Sequence, residues 1–516
     1  MVEVVAATGV RFEEAFAAGV SAPDGLALQL DPVQRLAVHA PSDRSLFLVA
    51  GPGSGKTSVI VLRMLKLILV DGLPPGAILA TTFTRKAAAE LHSRVLEQGE
   101  TMRAWLLQRI DPRDPAAAVL RRLDFGMVMT GTIDSIAQSL LTDFRPAGTQ
   151  PPVAVEEFVA ESFLLRHGLW PENRRNNPDL LNYATQLDGR PSLSQGALVG
   201  LCREVRERML HDMVDVAAFA KTAGAGRPAA AILAEVVADF AARLDGKPLV
   251  DFAGLEDLLR TRIAQGELKQ FVTGLRVVLV DEYQDTNLLQ EAIYFGLAEH
   301  ACKAGGSIAV VGDDDQALYR FRGATVALFR DFPDRLHNRM GAVAQTIHLV
   351  RNYRSTPAIV RWCSNFAELD PDFQLVRVKG KPSLVPARAN AGDLPVLGLF
   401  RPTPELLATD LACFLGDVFR GAGATLPNGT ILARHAQGDV GDCAVLFSSP
   451  KERSGSDKPR LPSLLAERLA HLPDPIAVHN PRGAAFHALP EVAALCGLML
   501  ECIDPGATIQ QQERLP

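Results

Sequence analysis

The chain has 516 residues, which is too many for one compact domain, so about two to four domains are expected. Hydrophobic residues make up 47% of the sequence, which is enough for several buried cores. The formal net charge is −6, so the basic footprint of many nucleic-acid-binding proteins is missing, although a large protein needs only one basic groove.

The amino terminus and the cysteines exclude several protein classes. Residues 1–20 contain acids and lack a basic stretch followed by an apolar core, so a signal peptide is not expected. No run of about 18 apolar residues is present, which predicts no membrane span and no membrane partner. The seven cysteines are scattered without a CxxC pair, which argues against a zinc site or a disulfide framework. These features predict a cytoplasmic protein.

A strand, a glycine-rich loop and a helix follow one another near the start of the chain. Ser45–Ala50 is an apolar β-forming run, Gly51–Thr57 reads GPGSGKT, and an apolar-periodic stretch follows. This order is typical of a phosphate-binding loop, in which backbone N–H groups and a helix N-terminus hold phosphate oxygens. Lys56 is expected to neutralise the β- and γ-phosphates of ATP, and Thr57 to place a hydroxyl on Mg²⁺. The nucleotide-binding residues predicted here are Ala50, Gly51, Pro52, Gly53, Ser54, Gly55, Lys56, Thr57 and Ser58.

Residues 142–270 are predicted to be mainly helical, with Pro and Gly breaks between apolar-periodic stretches. A second strand is predicted at Val277–Val280, where four apolar β-formers lead directly to Asp281 and Glu282. Because the carboxyl ends of strands carry the catalytic groups of α/β sheets, Asp281 is expected to hold Mg²⁺ and Glu282 to polarise an attacking water.

A third strand is predicted at Ile308–Gly312, followed by a polar segment. In this segment Gln316 is uncharged and suited to hydrogen-bond a γ-phosphate and a water together. The rings of Tyr319 and Phe321 alternate with the cations Arg320 and Arg322. Alternating rings and cations favour binding of single-stranded nucleic acid, in which bases stack and phosphates are neutralised.

By type and order, these motifs resemble superfamily 1 DNA helicases of the UvrD/Rep/PcrA kind. Leu30–Val38 resembles the Q motif of that family, which implies that Gln34 reads the edge of adenine. Leu349–Thr356 resembles motif IV, which implies that Tyr353 stacks on adenine and Arg354 reaches the γ-phosphate. The catalytic set implied by the resemblance is Lys56, Asp281, Glu282, Gln316 and Arg354.

The same resemblance implies a DNA-binding surface. Ile78–Leu91 is similar to motif Ia, where Phe83 and Thr84 would touch the strand. Thr130–Ser135 is similar to motif Ib, with Thr132 as the contact, and Tyr319 and Phe321 fall in motif III. The sequence also departs from the family, with Ser58 where Arg is common and Arg85 where Asn is usual. At the usual His position stands Asp134, an acid expected to repel a DNA phosphate.

The resemblance implies an α/β fold with a RecA-like P-loop motor domain, a parallel sheet, a helical insertion and a partial second RecA-like domain. Residues 1–141 and 271–346 would form motor domain 1A, residues 142–270 insertion 1B, and residues 347–516 part of domain 2A, ending near the 2B insertion. Residues 98–129 are expected to add a helical hairpin, and residues 420–440 a loop or short hairpin. Neither motif V nor motif VI is legible. In the family, motif VI supplies an arginine whose loss can cost on the order of 10³–10⁵ in rate.

Three hypotheses follow. The leading one is an ATP-dependent DNA helicase or translocase that acts with 3′–5′ polarity on single-stranded DNA or a single-strand/duplex junction. An alternative is a non-translocating ATP-binding switch, or a subunit of a split helicase whose partner polypeptide supplies motifs V and VI. The third is a fragment that folds poorly and exposes an open sheet edge. ATP and Mg²⁺ are the expected cofactors of the first two.

Overall fold

The structure is a computed structural model of the chain. It describes residues 12, 14, 15, 30–189, 192–224, 228–244, 248–317, 325–369, 371, 374, 377–388, 394–436, 438–452, 458–480 and 490–503. The chain divides into two compact units, residues 1–395 and residues 396–516.

A six-stranded parallel sheet organises the first unit. Its strand order is β3-β2-β6-β7-β1-β8. The strands are β1 Leu46–Ala50, β2 Ile78–Thr81, β3 Met129–Gly131, β6 Val277–Val280, β7 Ser307–Gly312 and β8 Gln345–Leu349. The three strands predicted from apolar runs are thereby confirmed. Because successive strands run in the same direction, their carboxyl ends meet along one edge, where the polar segments after β1, β6 and β7 come together.

Both faces of this sheet are covered by helices, as continuous apolar strands require. Alternate residues of β1 enter different cores: Leu46, Leu48 and Ala50 face one layer, and Phe47 and Val49 face the other. The helices of the first layer are α1 Pro32–His39, α2 Lys56–Leu69, α3 Arg85–Leu107 and α4 Pro115–Arg122. Those of the second are α5 Ile133–Asp143, α11 Phe252–Gln265, α12 Lys269–Gly274, α13 Leu288–Lys303, α14 Val326–Arg330 and α15 Phe332–Met340.

Helices α3 and α4 form the hairpin expected around residues 98–129. The first helix begins at Arg85, well before the predicted start, because Thr84 caps it and the apolar spacing continues without a break. Beyond β8, short strand β9 Arg351–Asn352 pairs in parallel with β10 Val385–Pro386, and α16 Pro357–Leu369 lies between them in the chain.

The insertion between α5 and β6 is mainly helical, as predicted. Its helices are α6 Glu157–Phe163, α7 Pro178–Asp188, α8 Gln195–His211, α9 Val216–Gly224 and α10 Pro228–Leu244. Two short parallel strands, β4 Val153–Ala154 and β5 Leu249–Val250, join its entry and exit. A separate core, with Leu164, Cys202 and Phe240 fully buried, holds these helices together. The insertion therefore has its own hydrophobic interior.

The second unit has a smaller core. Helices α17 Pro404–Phe419 and α18 Leu461–Ala470 bury Ala408, Ala412 and Leu465 against each other, and helix α19 Pro490–Ile503 follows. Strands β11 Ala424–Thr425 and β12 Ile431–Leu432 form an antiparallel hairpin, which confirms the hairpin predicted within residues 420–440. The assignment of residues 347–516 to a second motor domain stays a prediction, and β8 carries the first sheet three residues past the predicted boundary at 346.

No helix among the described residues is long and apolar enough to cross a membrane. Six cysteines in the described part of the chain are free thiols.

Candidate active site

The glycine-rich loop lies at the carboxyl end of β1, as predicted. The backbone N–H of Gly51 donates to the carbonyl of Leu349, 3.1 Å away, and Ser54 Oγ donates to the carbonyl of Gly51 at 2.7 Å. Gly53 and Gly55 have φ values of +66° and +83°, in the left-handed region that favours glycine. Helix α2 begins at Lys56, so its free N–H groups point into the loop.

Gln34 supports this loop from α1. Asp31 and Gln34 form a capping box at the start of α1, and Gln34 Nε2 donates to the carbonyl of Ser54 at 2.9 Å. The same nitrogen would lie 2.9 Å from a Cβ on Gly55. Gln34 therefore fixes the loop conformation, and its reading of adenine stays a prediction.

The phosphate loop and the acids of β6 meet directly. Lys56 Nζ lies 2.9 Å from Glu282 Oε2, although the two residues are 226 positions apart in sequence. Glu282 adopts φ +52°, an uncommon conformation for a residue with a side chain, and such strain often occurs at functional sites. Thr57 and Ser58 are half-buried in the first turn of α2. Lysine, hydroxyl and carboxylates thus surround one small space, suited to a magnesium-bound phosphate.

Asp281 ends β6 beside this pair. Its Oδ1 accepts a hydrogen bond from the N–H of Glu282 at 3.0 Å. Burial and the adjacent Glu282 charge raise the pKa of Asp281 to about 7, against the opposing effect of Lys56. A bound cation would stabilise the charged form of this buried carboxylate, so Asp281 is suited to act as a magnesium ligand.

The raised pKa of Asp281 predicts how the stability of the protein depends on pH. The pKa of Asp281 in the folded state lies above its unfolded value of 3.8. The contribution of Asp281 to the free energy of unfolding is therefore fully present below pH 3.8 and is lost as the pH rises through about 7. Asp281→Asn is therefore expected to be more stable than the wild type at pH 8, by on the order of 1–3 kcal/mol, and nearly equal to it at pH 4. Thermal melting at both pH values without divalent cations measures this, with the exposed Asp43→Asn as control. A stability difference that stays constant with pH would contradict it.

The residues of motif IV pack on the same loop. Asn352 Nδ2 donates to the carbonyl of Pro52 at 2.8 Å, and the N–H of Tyr353 donates to the carbonyl of Gly53 at 2.9 Å. The Tyr353 hydroxyl donates to Asp31 Oδ2 at 2.7 Å. Burial, followed by the Asp31 hydrogen bond, raises the pKa of Tyr353 to about 12, so the ring is neutral. Asp31 thus contacts both Tyr353 and Gln34, and the stacking of Tyr353 on adenine stays a prediction.

Arg354 is exposed beside the loop. Its backbone N–H donates to Asn352 Oδ1, and its Cβ would lie 2.8 Å from a Cβ on Gly53. Within the described residues, no ion pair engages its guanidinium, which leaves the group available for an anion.

The close contacts around Gly53 predict that a larger residue there weakens nucleotide binding. A Cβ there would meet Arg354 Cβ at 2.8 Å and Asn352 Oδ1 at 2.9 Å, in addition to the unfavourable φ. Gly53→Ala is expected to weaken nucleotide binding about tenfold, equivalent to 1.4 kcal/mol. Gly266→Ala is the matched control, because Gly266 has φ +74° but a Cβ there would meet no atom within 4 Å. Equal effects of the two substitutions on nucleotide affinity would refute the role of crowding.

Gln316 follows β7 and is exposed. Its Nε2 donates to Asp313 Oδ2. Asp313 is fully buried and close enough to Lys56 for the lysine charge to lower its pKa, although burial is the larger effect and the pKa is raised overall. Gln316 therefore belongs to the same electrostatic environment as Lys56, while its contact to a γ-phosphate stays a prediction.

Three of the five predicted DNA contacts, Phe83, Thr84 and Thr132, lie at the ends of neighbouring strands. Thr84 Oγ1 caps α3 by accepting the N–H of Ala87, and Thr132 Oγ1 caps α5 by accepting that of Ser135. Phe83 is half-buried, whereas Thr132 is only 6% exposed. The other two predicted contacts, Tyr319 and Phe321, lie outside the described residues.

Asp134 lies close to a second acidic side chain. This neighbour is Glu256, which is 2% exposed and accepts a hydrogen bond from Gln290 Nε2 at 2.8 Å. Burial, followed by the Asp134 charge, raises the pKa of Glu256 well above its usual value. Asp134 is half-buried beside this interior carboxyl group, and the expectation that it repels a DNA phosphate stays a prediction.

Sequence reasoning missed Gln284. Its Nε2 donates to Glu282 Oε2 at 2.8 Å, and its Oε1 accepts the N–H of Asp313 at 3.0 Å. Gln284 is 1% exposed. Its two hydrogen bonds connect the acids after β6 to the segment after β7. Its position two residues after Glu282, in a turn between two buried elements, was the only available signal.

Comparison with known proteins identifies the family of this chain. The model of the UvrD/REP helicase N-terminal domain family matches residues 30–337. The chain is 31% identical over 357 residues to the ATP-dependent DNA helicase UvrD1 of Mycobacterium tuberculosis, a match that covers 66% of the chain and 39% of the relative. It is 29% identical to DNA helicase II of Escherichia coli, over 64% of the chain and 39% of the relative. It is also 29% identical to PcrA of Bacillus subtilis, over 64% and 38%.

The matched region spans about two fifths of the length of these relatives. It contains the phosphate loop, the acids after β6 and the segment after β7, and the family match covers more than half of the chain. The chain therefore belongs to the UvrD/REP helicase N-terminal domain family.

Proposed function

We propose that the chain binds MgATP at the carboxyl edge of its parallel sheet and hydrolyses it as the ATPase of a DNA helicase. The observation that carries this proposal is the 2.9 Å contact of Lys56 with Glu282, which joins the phosphate loop to the acids after β6. Before nucleotide binds, the lysine neutralises the carboxylate. A bound γ-phosphate would take the lysine, and Glu282 would then be released to accept a proton from water.

The residues around this contact have separable roles. Thr57 and Asp281 would hold Mg²⁺, which supplies positive charge to the phosphates. Gln316 and Arg354 would approach the γ-phosphate, the first through its amide and the second through its guanidinium. Gln34 and Tyr353 would hold adenine, since both touch the loop region through Asp31 or Ser54. The remaining loop residues supply N–H donors.

We propose single-stranded DNA, alone or at a duplex junction, as the macromolecular substrate, with 3′–5′ movement and a cytoplasmic location. Phe83 and Thr84 follow β2 and Thr132 follows β3, so they share one edge of the sheet. This edge, in domain 1A of residues 1–141 and 271–346, would be flanked by insertion 1B of residues 142–270. Residues 347–516 would belong to domain 2A.

A second candidate is an ATP-binding switch or split-helicase subunit completed by another polypeptide. The observation that favours it lies in the second unit, where Val396, Leu397, Leu399 and Phe400 form a run of exposed apolar residues. Contiguous exposed apolar surface is typical of sites that a partner covers. In this case ATP would bind tightly but turn over slowly without that partner.

DNA binding tests the proposal. Anisotropy of a labelled single-stranded oligonucleotide should rise on titration with the chain, and the affinity should fall steeply with salt because phosphate contacts release counterions. The affinity should also differ between ADP and a non-hydrolysable ATP analogue. Absence of binding at low salt in both nucleotide states would refute the DNA part of the proposal.

A further inference from the structure

Three consecutive aspartates after β7 surround a single lysine. Lys381 Nζ lies 2.9 Å from Asp313 Oδ1, 2.5 Å from Asp314 Oδ1 and 2.9 Å from Asp315 Oδ2. The side chains of Asp313 and Asp314 are completely buried and that of Lys381 is 5% exposed. An ammonium group has three N–H donors, so its hydrogen-bonding capacity is filled by this cluster.

The cluster is charged and anchored. Burial alone would lower the pKa of Lys381, but the three carboxylates raise it above its ordinary value, so the lysine stays protonated. The carboxylates could otherwise suggest a cation site, and the ammonium group fills that position. Removing one partner of a buried charged group leaves the others uncompensated, which is strongly destabilising. The arrangement therefore holds its geometry firmly.

Lys381 belongs to a segment that touches three parts of the nucleotide site. We call residues 377–386 the clamp segment. Arg377 pairs with Asp315 at 2.8 Å, and the N–H of Val378 donates to Asp314 Oδ2 at 2.7 Å. Further along, a Cβ on Gly51 would lie 2.1 Å from Leu384 Cδ2, so Leu384 packs directly on the phosphate loop. Strand β10 then pairs with β9, next to Tyr353.

Two short routes lead from Lys381 to the reacting groups. In the first, Asp313 holds Lys381 through Oδ1 and accepts Gln316 Nε2 through Oδ2. In the second, the N–H of Asp313 donates to Gln284, which donates to Glu282, the partner of Lys56. Asp313 is thus the branch point, and its carboxylate orientation depends on the lysine.

We propose that Lys381 is a positioning residue that holds Gln316, through Asp313, in the orientation that distinguishes ATP from ADP. The proposal rests on the proposed function, because it requires ATP in the cleft. Without the lysine, Asp313 can rotate and Gln316 loses its fixed acceptor, so the amide no longer presents one orientation to a γ-phosphate. ADP binding, which lacks that phosphate, depends on the loop itself and is unaffected by this loss.

The test compares affinities for fluorescent ADP and for a fluorescent non-hydrolysable ATP analogue, with Mg²⁺. Two variants are compared, Lys381→Met and the double variant Lys381→Met/Asp314→Asn. The double variant removes one positive and one negative charge together, so the net charge of the cluster does not change. Lys381→Arg is the conservative variant. The exposed neighbour Lys379→Met is the matched control.

We expect the preference for the ATP analogue over ADP to fall about tenfold in both Lys381→Met variants, with ADP affinity retained. Lys381→Arg should recover part of the preference, and Lys379→Met should leave it unchanged. In a double-mutant cycle, Gln316→Ala should remove no further preference once Lys381 is replaced, because both act through one group. If Lys381→Met does not fold, Asp313→Asn takes its place, with the same expected fall.

Two results would overturn the proposal. One is an equal loss of affinity for both nucleotides, which marks a purely structural role. The other is a full additional effect of Gln316→Ala in the Lys381→Met background. If the wild type prefers the ATP analogue and the variants keep that preference, the proposal for Lys381 fails and the proposed function stands. If the wild type binds neither nucleotide, the proposed function itself fails.

Discussion

Glu282→Gln is expected to lower the rate of ATP hydrolysis by a factor of about 10²–10⁴ while ATP still binds, because the amide cannot accept a proton from the attacking water. The substitution keeps the size and the acceptor oxygen of the side chain. It removes the charge that Lys56 contacts at 2.9 Å, so the lysine is no longer held by a carboxylate before nucleotide binds. Nucleotide affinity should therefore stay equal or increase.

Phosphate release measured at saturating ATP, together with a binding titration, separates these two effects. Glu405→Gln is the matched control, because Glu405 is exposed on α17 in the second unit. A Glu282→Gln variant that hydrolyses ATP at the wild-type rate would show that Glu282 is only the resting partner of Lys56.

Lys56→Met is expected to have the second large effect, and it should act on binding and turnover together. The lysine is the one cation within contact of Glu282 among the described residues, and its stem lies in the first turn of α2. Loss of a preorganised group that stabilises charge on the transferred phosphoryl costs about 10²–10³ in rate. Glu282 would also be left without its cation, which further disfavours an approaching phosphate.

The binding titration and the phosphate-release assay used for Glu282 apply to this variant. Lys303→Met serves as control, since Lys303 is 70% exposed on α13 and its ion pair within the described part of the chain is with Glu299 on the same helix. A variant that binds ATP as tightly as the wild type would contradict the position assigned to Lys56. An unchanged melting temperature is needed to attribute the loss to the site.

The sheet was predictable because its strands are continuous apolar runs ending in polar motifs. Leu46–Ala50 and Val277–Val280 are each buried at every position, so neither needs long-range information to be recognised. The order β3-β2-β6-β7-β1-β8 depends on crossovers through helices and a long insertion, and no local pattern specifies it. The family resemblance implied a parallel sheet, but the order of its strands was not predicted.

The functional groups were predictable where their chemistry is local. The glycines of the loop and the acids after β6 fall in short motifs, and the structure brings Lys56 to Glu282 as the motifs require. The contacts that hold them in place are distant in sequence. Tyr353 reaches Asp31 across 322 residues, and Lys381 reaches Asp313 across 68. Such partners have no fixed spacing, so only the folded chain reveals them.

Asp134 illustrates a related limit of local patterns. Its position in a motif predicts repulsion of DNA from charge alone, because a residue type carries charge but no direction. Its neighbour Glu256 lies far along the chain, in α11, and only packing brings the two carboxyl groups near each other. The local pattern does not contain such a contact.

We propose that ATP hydrolysis at the Lys56–Glu282 site of this chain is coupled to single-stranded DNA. The decisive experiment is steady-state phosphate release by the 516-residue chain, with and without a single-stranded oligonucleotide. We predict magnesium-dependent turnover that rises on addition of the oligonucleotide and disappears in Glu282→Gln. Tight MgATP binding with no turnover in either condition would contradict the claim and favour the ATP-binding switch or split-helicase subunit.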